Sequence, residues 1–374
     1  MNANEKGPWF CDANAGVPAL PEVVEEFVRV EQEFPANPSS AHAAGRRARG
    51  ALEHAREVAA QAMHVAREDV VFTSGGTEAG NLAVRGLGDT NLPVLMGDLE
   101  HPAVRESAAQ RGTISWEVDE SGCVVVTRPR ESVGLVALVH AQSEVGTLQR
   151  VEEAAAIAAA CGAPVFVDAA QTLGRVPLDP VIDTGAAVAL SPHKAGGLRG
   201  NGLLVGHGVH KHLRPLMYGG GQELGLRPGT PSVALAAANA LAIEIAVRDC
   251  SQRAEIMSRN RAAFVEALLA TGCQVQVLTP LQRSVPNTIM MCFEGVEGRS
   301  LLPALDLAGV QASHGSACSS GSLTPPLVLS SMNVSEHLAR ACARFSFDWF
   351  DRGSACAQIG ALVGSVALRL RKKK

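Results

Sequence analysis

The segments "PVFVDAAQ" (164–171) and "GAAVALSPHK" (185–194) each hold a short, almost wholly apolar run that ends in chemically useful polar residues. A strand apolar on both faces has to be covered on both faces, the condition of a parallel sheet between layers of helices. Working outward, "EDVVFTSGGTEAGNLAVRGL" (68–87) predicts a strand over 70–73, a glycine turn and a helix opened by Thr77. "VGLVALVHAQSEVG" (133–146) predicts a buried strand running into a polar turn, and "VEEAAAIAAACG" (151–162) an alanine-rich helix stopped by Gly162. In "NPSSAHAAGRRARGALEHAREVAAQAMHV" (37–65), Ser39 or Ser40 is expected to cap a helix whose apolar face carries Leu52, Ala55, Ala59, Ala62 and Met63. Strands alternating with helices make an α/β fold. Its working residues gather beyond the carboxyl ends of the strands. Thr77, Ser143, Asp168, Gln171, Ser191, His193 and Lys194 are therefore expected to converge.

Composition narrows the class. The chain has 374 residues, 47% hydrophobic and 19% charged, enough for about two domains with separate cores. After residue 250 the pattern changes to a helix, the strand-like "CQVQVL" and "NTIMMCF", and a further helix near 299–307, which predicts a smaller α+β unit. The expected division is 1–15 joining the small domain, 16–250 as the large domain and 251–374 as the small one. A net charge of −4 calls for neither direct nucleic-acid contact nor a membrane surface. The apolar stretch "VALAAANALAIEIAV" (233–247) is short for a bilayer and carries Asn239 and Glu244, so it predicts a buried helix. The nine cysteines form no CxxC pair and no Cys/His cluster with metal-ligand spacing, and the N-terminus shows no basic segment followed by an apolar one. Both features point to a reducing, cytoplasmic setting.

An acid and a lysine at neighbouring strand ends, here Asp168 and Lys194, are what pyridoxal 5'-phosphate (PLP) needs. The lysine holds the cofactor as a Schiff base and the acid keeps its pyridine nitrogen protonated. Glycines followed by Thr77 at a helix start make a phosphate site. His101 in "EHPAV" has the ring to stack on a cofactor and a nitrogen to move protons. Taken singly, each has a plainer reading: a turn aspartate, a loop lysine, a glycine turn, a structural histidine. Cys318 sits in "SHGSACSSGS" (313–322), among residues that bring freedom and little bulk. A reactive cysteine needs that exposure, whereas a structural one is usually buried.

Together the motifs resemble the cysteine desulfurases of the NifS/IscS type, within the class V aminotransferase group of fold type I PLP enzymes. The resemblance runs nearly end to end, through "DANAGVP" (12–18), "NPSSAHAAGRR" (37–47), "FTSGGTEAGN" (72–81), "EHPAV" (100–104), "VDAAQTLGRVPLD" (167–179), "SPHK" (191–194), "GGGQELGLRPGT" (219–230), "GSACSSGS" (315–322) and "ARFSF" (343–347). It implies a large domain with a mostly parallel, seven-stranded sheet between helices, and a smaller α+β domain. It implies that Lys194 binds PLP, that Asp168 pairs with its ring nitrogen and that Gln171 and Ser143 contact it. On the same resemblance His101 would stack on the ring and transfer protons, and Gly76, Thr77, Ser191 and His193 would hold the phosphate, with Thr230 reaching in from a partner subunit of a homodimer. Arg344 and Asn14 would bind the substrate, L-cysteine. Cys318 would take its sulfur as a persulfide, leaving L-alanine, and pass it to an acceptor protein for iron–sulfur cluster assembly or thiolation.

Three departures stand against the family pattern. Gln142-Ser143 replaces an asparagine pair, "GLRG" (197–200) replaces Gly-Pro-Lys-Gly, and "FSFDWFDRG" (345–353) brings bulky residues expected to reshape the substrate's entry side. Two other readings stay open on sequence alone: a class V aminotransferase or selenocysteine lyase, and a weakly active sulfur-carrier subunit.

Overall fold

The computed structural model of the chain describes residues 8–315 and 325–371. The chain enters through β1 (Trp9–Phe10). The larger sheet is built from β2 (Val70–Thr73), β3 (Val94–Gly97), β4 (Thr113–Trp116), β5 (Leu135–Val139), β6 (Val165–Asp168), β7 (Ala187–Leu190) and β8 (Gly202–Val205). Further on come β9 (Val275–Val277), β10 (Thr288–Phe293), β11 (Val310–Gln311) and β12 (Cys342–Ser346). The seven strands run in the order β2-β8-β7-β6-β5-β3-β4. All neighbours from β4 to β7 are parallel, and β8 alone runs antiparallel to both β7 and β2. This is the mostly parallel α/β sheet expected from the sequence.

The apolar runs are continuous because successive side chains enter different cores. Val136 and Leu138 of β5 join one apolar cluster, while Leu135 and Ala137 join another on the opposite face. Phe166 of β6 is fully buried in the second cluster. Truncating it to alanine costs about 3–5 kcal/mol by lost transfer energy and the cavity left behind.

The helix Val151–Cys161 ends where expected, at Gly162 with φ 66°. The helix Ala43–Ala62 is capped differently: the His42 side chain accepts from Gly45 N, so neither Ser39 nor Ser40 serves as the cap. The helix Val233–Arg248 is buried, and Asn239 inside it accepts from Leu198 N at 2.8 Å and donates to Leu235 O at 3.0 Å.

The strands β12-β10-β9 form an antiparallel sheet, and β1 pairs with β11. In β10, Ile289, Met291 and Phe293 face a cluster with Phe264 and Phe345, while Met290 and Cys292 face the core shared with the larger sheet. The same alternation in β12 sends Ala343 and Phe345 one way and leaves Arg344 to the other. By length and composition the helix Gly353–Leu370 is apolar enough to cross a membrane. Here its Ile359 and Val363 are buried in the Phe264 cluster, and Gly360 lets the Phe264 carbonyl approach within 2.1 Å of where a Cβ would stand.

Candidate active site

A cavity of about 300 Å³ opens beyond the carboxyl ends of β5, β6 and β7. Asn14, Gly76, Thr77, His101, Ser143, Asp168, Gln171, Ser191, His193, Lys194 and Arg344 all line it. Thr230 is exposed and lies outside the lining. Cys318 lies outside the described residues. Gly315, three positions before it in sequence, is in the wall.

Lys194 follows β7 in a short turn, with its N–H donating to Ser191 O at 3.0 Å. Desolvation, reinforced by Arg175 and Arg344 and opposed by Asp168 and Glu144, pushes its amine down to about 8. Asp168, at the end of β6, accepts from Ala170 N at 2.9 Å. The His101 Nδ1 accepts from Ala103 N at 3.1 Å, so the neutral ring carries its proton on Nε2. Burial lowers its pKa, which favours that neutral form. Burial, with Lys194 and Arg199 nearby, takes His193 down to about 4.

Arg344 is almost fully buried. One Nη donates to Ser143 O and Gly315 O, both at 2.9 Å, and the other donates to Asp12 at 2.5 Å. Its Nε is buried without a partner among the described residues. The helix Gly76–Gly86 begins at the cavity after Gly75, with no side-chain cap. A Cβ on Gly76 would stand 2.4 Å from the Ser191 Oγ, so glycine is what lets the helix start come up against that hydroxyl. Free N–H groups beside a hydroxyl form an anion cradle.

The chain matches the family model described as "Aminotransferase class-V" over residues 9–351. The chain belongs to the class V aminotransferase family. It is 35% identical over 352 residues to the cysteine desulfurase IscS of Dictyoglomus turgidum, covering 90% of this chain and 89% of that one. An IscS-like cysteine desulfurase of Mycobacterium tuberculosis is 32% identical, with 90% of each chain covered. Among solved structures, a NifS-like protein superposes with a TM-score of 0.86 at 29% identity, covering 96% of this chain and 99% of that one.

Against this class V background the three departures can be placed. Gln142 turns inward: its Oε1 accepts from Glu144 N at 2.7 Å and Val145 N at 2.8 Å, and its amide donates to the Glu144 carboxylate. It closes its own turn and leaves the cavity to Ser143 and Glu144. Arg199 lies beside His193, near the place a side chain on Gly16 would fill. The bulky "DWF" segment does not reach the cavity lining, contrary to expectation. Trp349 packs under Arg253, 4.2 Å from guanidinium to ring centroid, and Asn260 donates to the Asp348 and Phe350 carbonyls. His314 is likewise engaged, its Nδ1 2.9 Å from Cys342 O.

Several residues around the site had no clear signal in the sequence. Glu144 lines the cavity; Asp12 pairs with Arg344; Arg175 lies behind Asn14 and Gln171. Glu100 accepts from Val139 N at 2.7 Å while its other carboxylate oxygen is buried without a partner among the described residues, and desolvation, helped by Asp168, raises it to about 8. The motif "EHPAV" contained Glu100, but nothing in its spacing set it apart from a turn residue.

Proposed function

We propose that this chain is a PLP-dependent cysteine desulfurase, converting L-cysteine to L-alanine and passing the sulfur through Cys318 to an acceptor protein. The observation that carries this reading is one cavity that joins the depressed Lys194 amine, Asp168, His101 and Arg344 to Gly315, close in sequence to Cys318. A solved relative titled "SspA in complex with cysteine", 26% identical with a TM-score of 0.77, fits the same substrate.

The residues present suit the cofactor. Lys194 would hold it covalently, Asp168 would face its ring nitrogen and Gln171 its ring oxygen. Gly76, Thr77, Ser191 and His193 would cradle its phosphate, with Thr230 supplied by the second subunit of a homodimer. When bound, PLP supplies the electron sink that allows the Cβ–S bond of cysteine to break.

The protein's own groups do the rest. Arg344, which lines the cavity, would meet the substrate carboxylate in a charge-assisted contact. Asn14, its side chain held by Ser143, Thr288, Arg175 and Asn287, shapes the same side. His101 offers its Nε2–H to the cavity as a hydrogen-bond donor, while Lys194, near 8, exists as both amine and ammonium close to neutrality and so moves a proton either way. The Cys318 thiolate attacks the substrate sulfur, and the persulfide formed there is handed on.

The reading extends to organisation. A small domain from about residue 251 with the N-terminal segment added is supported by the β1–β11 pair and the separate Phe264 cluster. A reducing, cytoplasmic setting is supported by eight free thiols among the described cysteines. The acceptor belongs to iron–sulfur assembly or to a thiolation route.

The test is alanine formation from L-cysteine, with PLP and a thiol reductant, by wild type and Cys318→Ser. Alanine from wild type alone is expected. Alanine from both would place the chain among lyases that need no acceptor thiol, and alanine from neither would sink the reading.

A further inference from the structure

We propose that Arg175 is a positioning residue that turns the Gln171 amide so its N–H side faces the cavity, and ties that amide to the substrate-side Asn14. The proposal rests on the PLP reading above and adds a residue to it.

Arg175 is 2% exposed, and among the described residues its hydrogen-bond acceptors are all neutral. One Nη donates to Asn14 Oδ1 at 2.8 Å and to Gln171 Oε1 at 2.6 Å; the other reaches Ala13 O at 3.3 Å. A buried guanidinium with no carboxylate is costly, and a protein keeps one where the charge or its geometry is used. Here both have a use.

The geometric use follows from the amide. A side-chain amide can present oxygen or nitrogen, and nothing in glutamine itself decides which. With Oε1 held by a guanidinium, Gln171 has only N–H groups to offer elsewhere. One of them donates to Asn14 O at 3.1 Å, and the second has no partner among the described residues at the cavity that Gln171 lines. A donor at that point suits the anionic oxygen of a bound pyridoxal ring and rejects a donor. Asn14 is fixed by the same hand: Arg175, Asn287 and Thr288 surround its Oδ1, which leaves its Nδ2 for Ser143 O and Thr288. A single side chain thus sets two neighbouring amides in the cavity wall.

The electrostatic use concerns Lys194. The groups acting on it are Asp168 and Glu144, which favour its charged form, and Arg175 and Arg344, which disfavour it. Arg175 therefore helps keep the Lys194 amine available for the cofactor.

The experiment uses the full chain. In cofactor-free protein, competitive labelling of Lys194 with acetic anhydride between about pH 6 and 10, read by mass spectrometry, gives its titration directly. In PLP-loaded protein, the pH dependence of the visible band reports the charge on the lysine-linked cofactor. Arg175→Met is expected to raise the Lys194 titration, to shift the visible band's titration, and to lower kcat/KM on the order of 100-fold through misplaced amides. A folded Arg175→Met with both titrations unchanged overturns the proposal. Should that variant not fold, Gln171→Glu decides. It gives the buried guanidinium an anion and removes the donor, so melting temperature should rise and the visible band's titration should move upward. A Gln171→Glu protein that shows neither the rise nor the shift overturns the proposal. The cofactor-free titration reads Arg175 whether or not the chain makes alanine, so a failure here is distinct from a failure of the desulfurase reading.

Discussion

Asp12 and Arg344, 332 positions apart in the chain, meet at 2.5 Å beside the cavity, with the Arg344 side chain 2% exposed and that of Asp12 20%. The arginine proposed to receive a substrate carboxylate is thus already paired with a protein carboxylate. Asp12 neutralises the guanidinium here, and on the proposed reading it would compete with the substrate carboxylate. Asp12→Asn keeps an acceptor but removes the charge. It should lower stability by about 1.5–3 kcal/mol, the range for a hydrogen bond to a charged group. It should also lower KM for L-cysteine several-fold, because the substrate now supplies the missing anion. Melting curves and steady-state alanine formation measure the two effects. A raised KM would mean that Asp12 orients Arg344 more than it competes with substrate.

Lys194 gives a pH window for cofactor loading. A lysine held near 8 gains neutral amine as pH rises through that value, whereas an ordinary lysine would need pH above 10. The rate at which cofactor-free protein takes up PLP should rise from pH 7 and level off near pH 9. Stopped-flow absorbance follows it directly. A rate still climbing steeply at pH 10 would show that Lys194 is not depressed.

Glu100 should make the wild type lose stability as pH rises. Its folded value of about 8 lies above the ordinary 4.5, so between these values the folded state binds more protons than the unfolded state. Stability from this group is complete below about 4.5 and declines up to about 8. Glu100→Gln does not titrate and keeps the acceptor for Val139 N. Its melting temperature should match wild type near pH 5 and exceed it near pH 8.5. Parallel curves at both pH values would rule out a neutral Glu100.

The fold was legible where the physics is local. Val165–Asp168 and Ala187–Leu190 announced themselves because a strand covered on both faces has no polar alternation to hide it. Gly162 ended its helix because a left-handed cap favours glycine. Thr113–Trp116 escaped notice since an edge strand with exposed Thr113 and Ser115 does not show a continuous apolar run. The site divides along the same line. Lys194 and Asp168 sit at strand ends, so the sheet's direction predicted their meeting. Arg175 and Asn14 are 161 positions apart, and Asp12 and Arg344 are further still. Periodicity says which face a residue takes, but not which distant side chain it meets there. Gln142 is undecided in the sequence for a related reason: its amide could serve the cavity or its own turn, and only the packed backbone decides.

Gly76 provides the sharpest steric test of the phosphate cradle. A methyl group there would stand 2.4 Å from the Ser191 Oγ, below any real contact distance, so one of the two must move. Overpacking of this kind costs about 1–3 kcal/mol, or roughly 5- to 150-fold in an equilibrium constant. If Gly76 and Ser191 hold the phosphate, Gly76→Ala should weaken PLP binding by an amount in that range. Equilibrium dialysis of cofactor-free protein would measure it. The double variant Gly76→Ala with Ser191→Gly removes the clash and the hydroxyl together. It should recover the melting temperature of wild type but not its PLP affinity, because space is restored while a hydrogen-bond donor is still missing. Full recovery of affinity would show that Ser191 matters only as a neighbour, leaving the phosphate to the helix start and Thr77. No loss in the single variant would mean the phosphate lies elsewhere in the cavity.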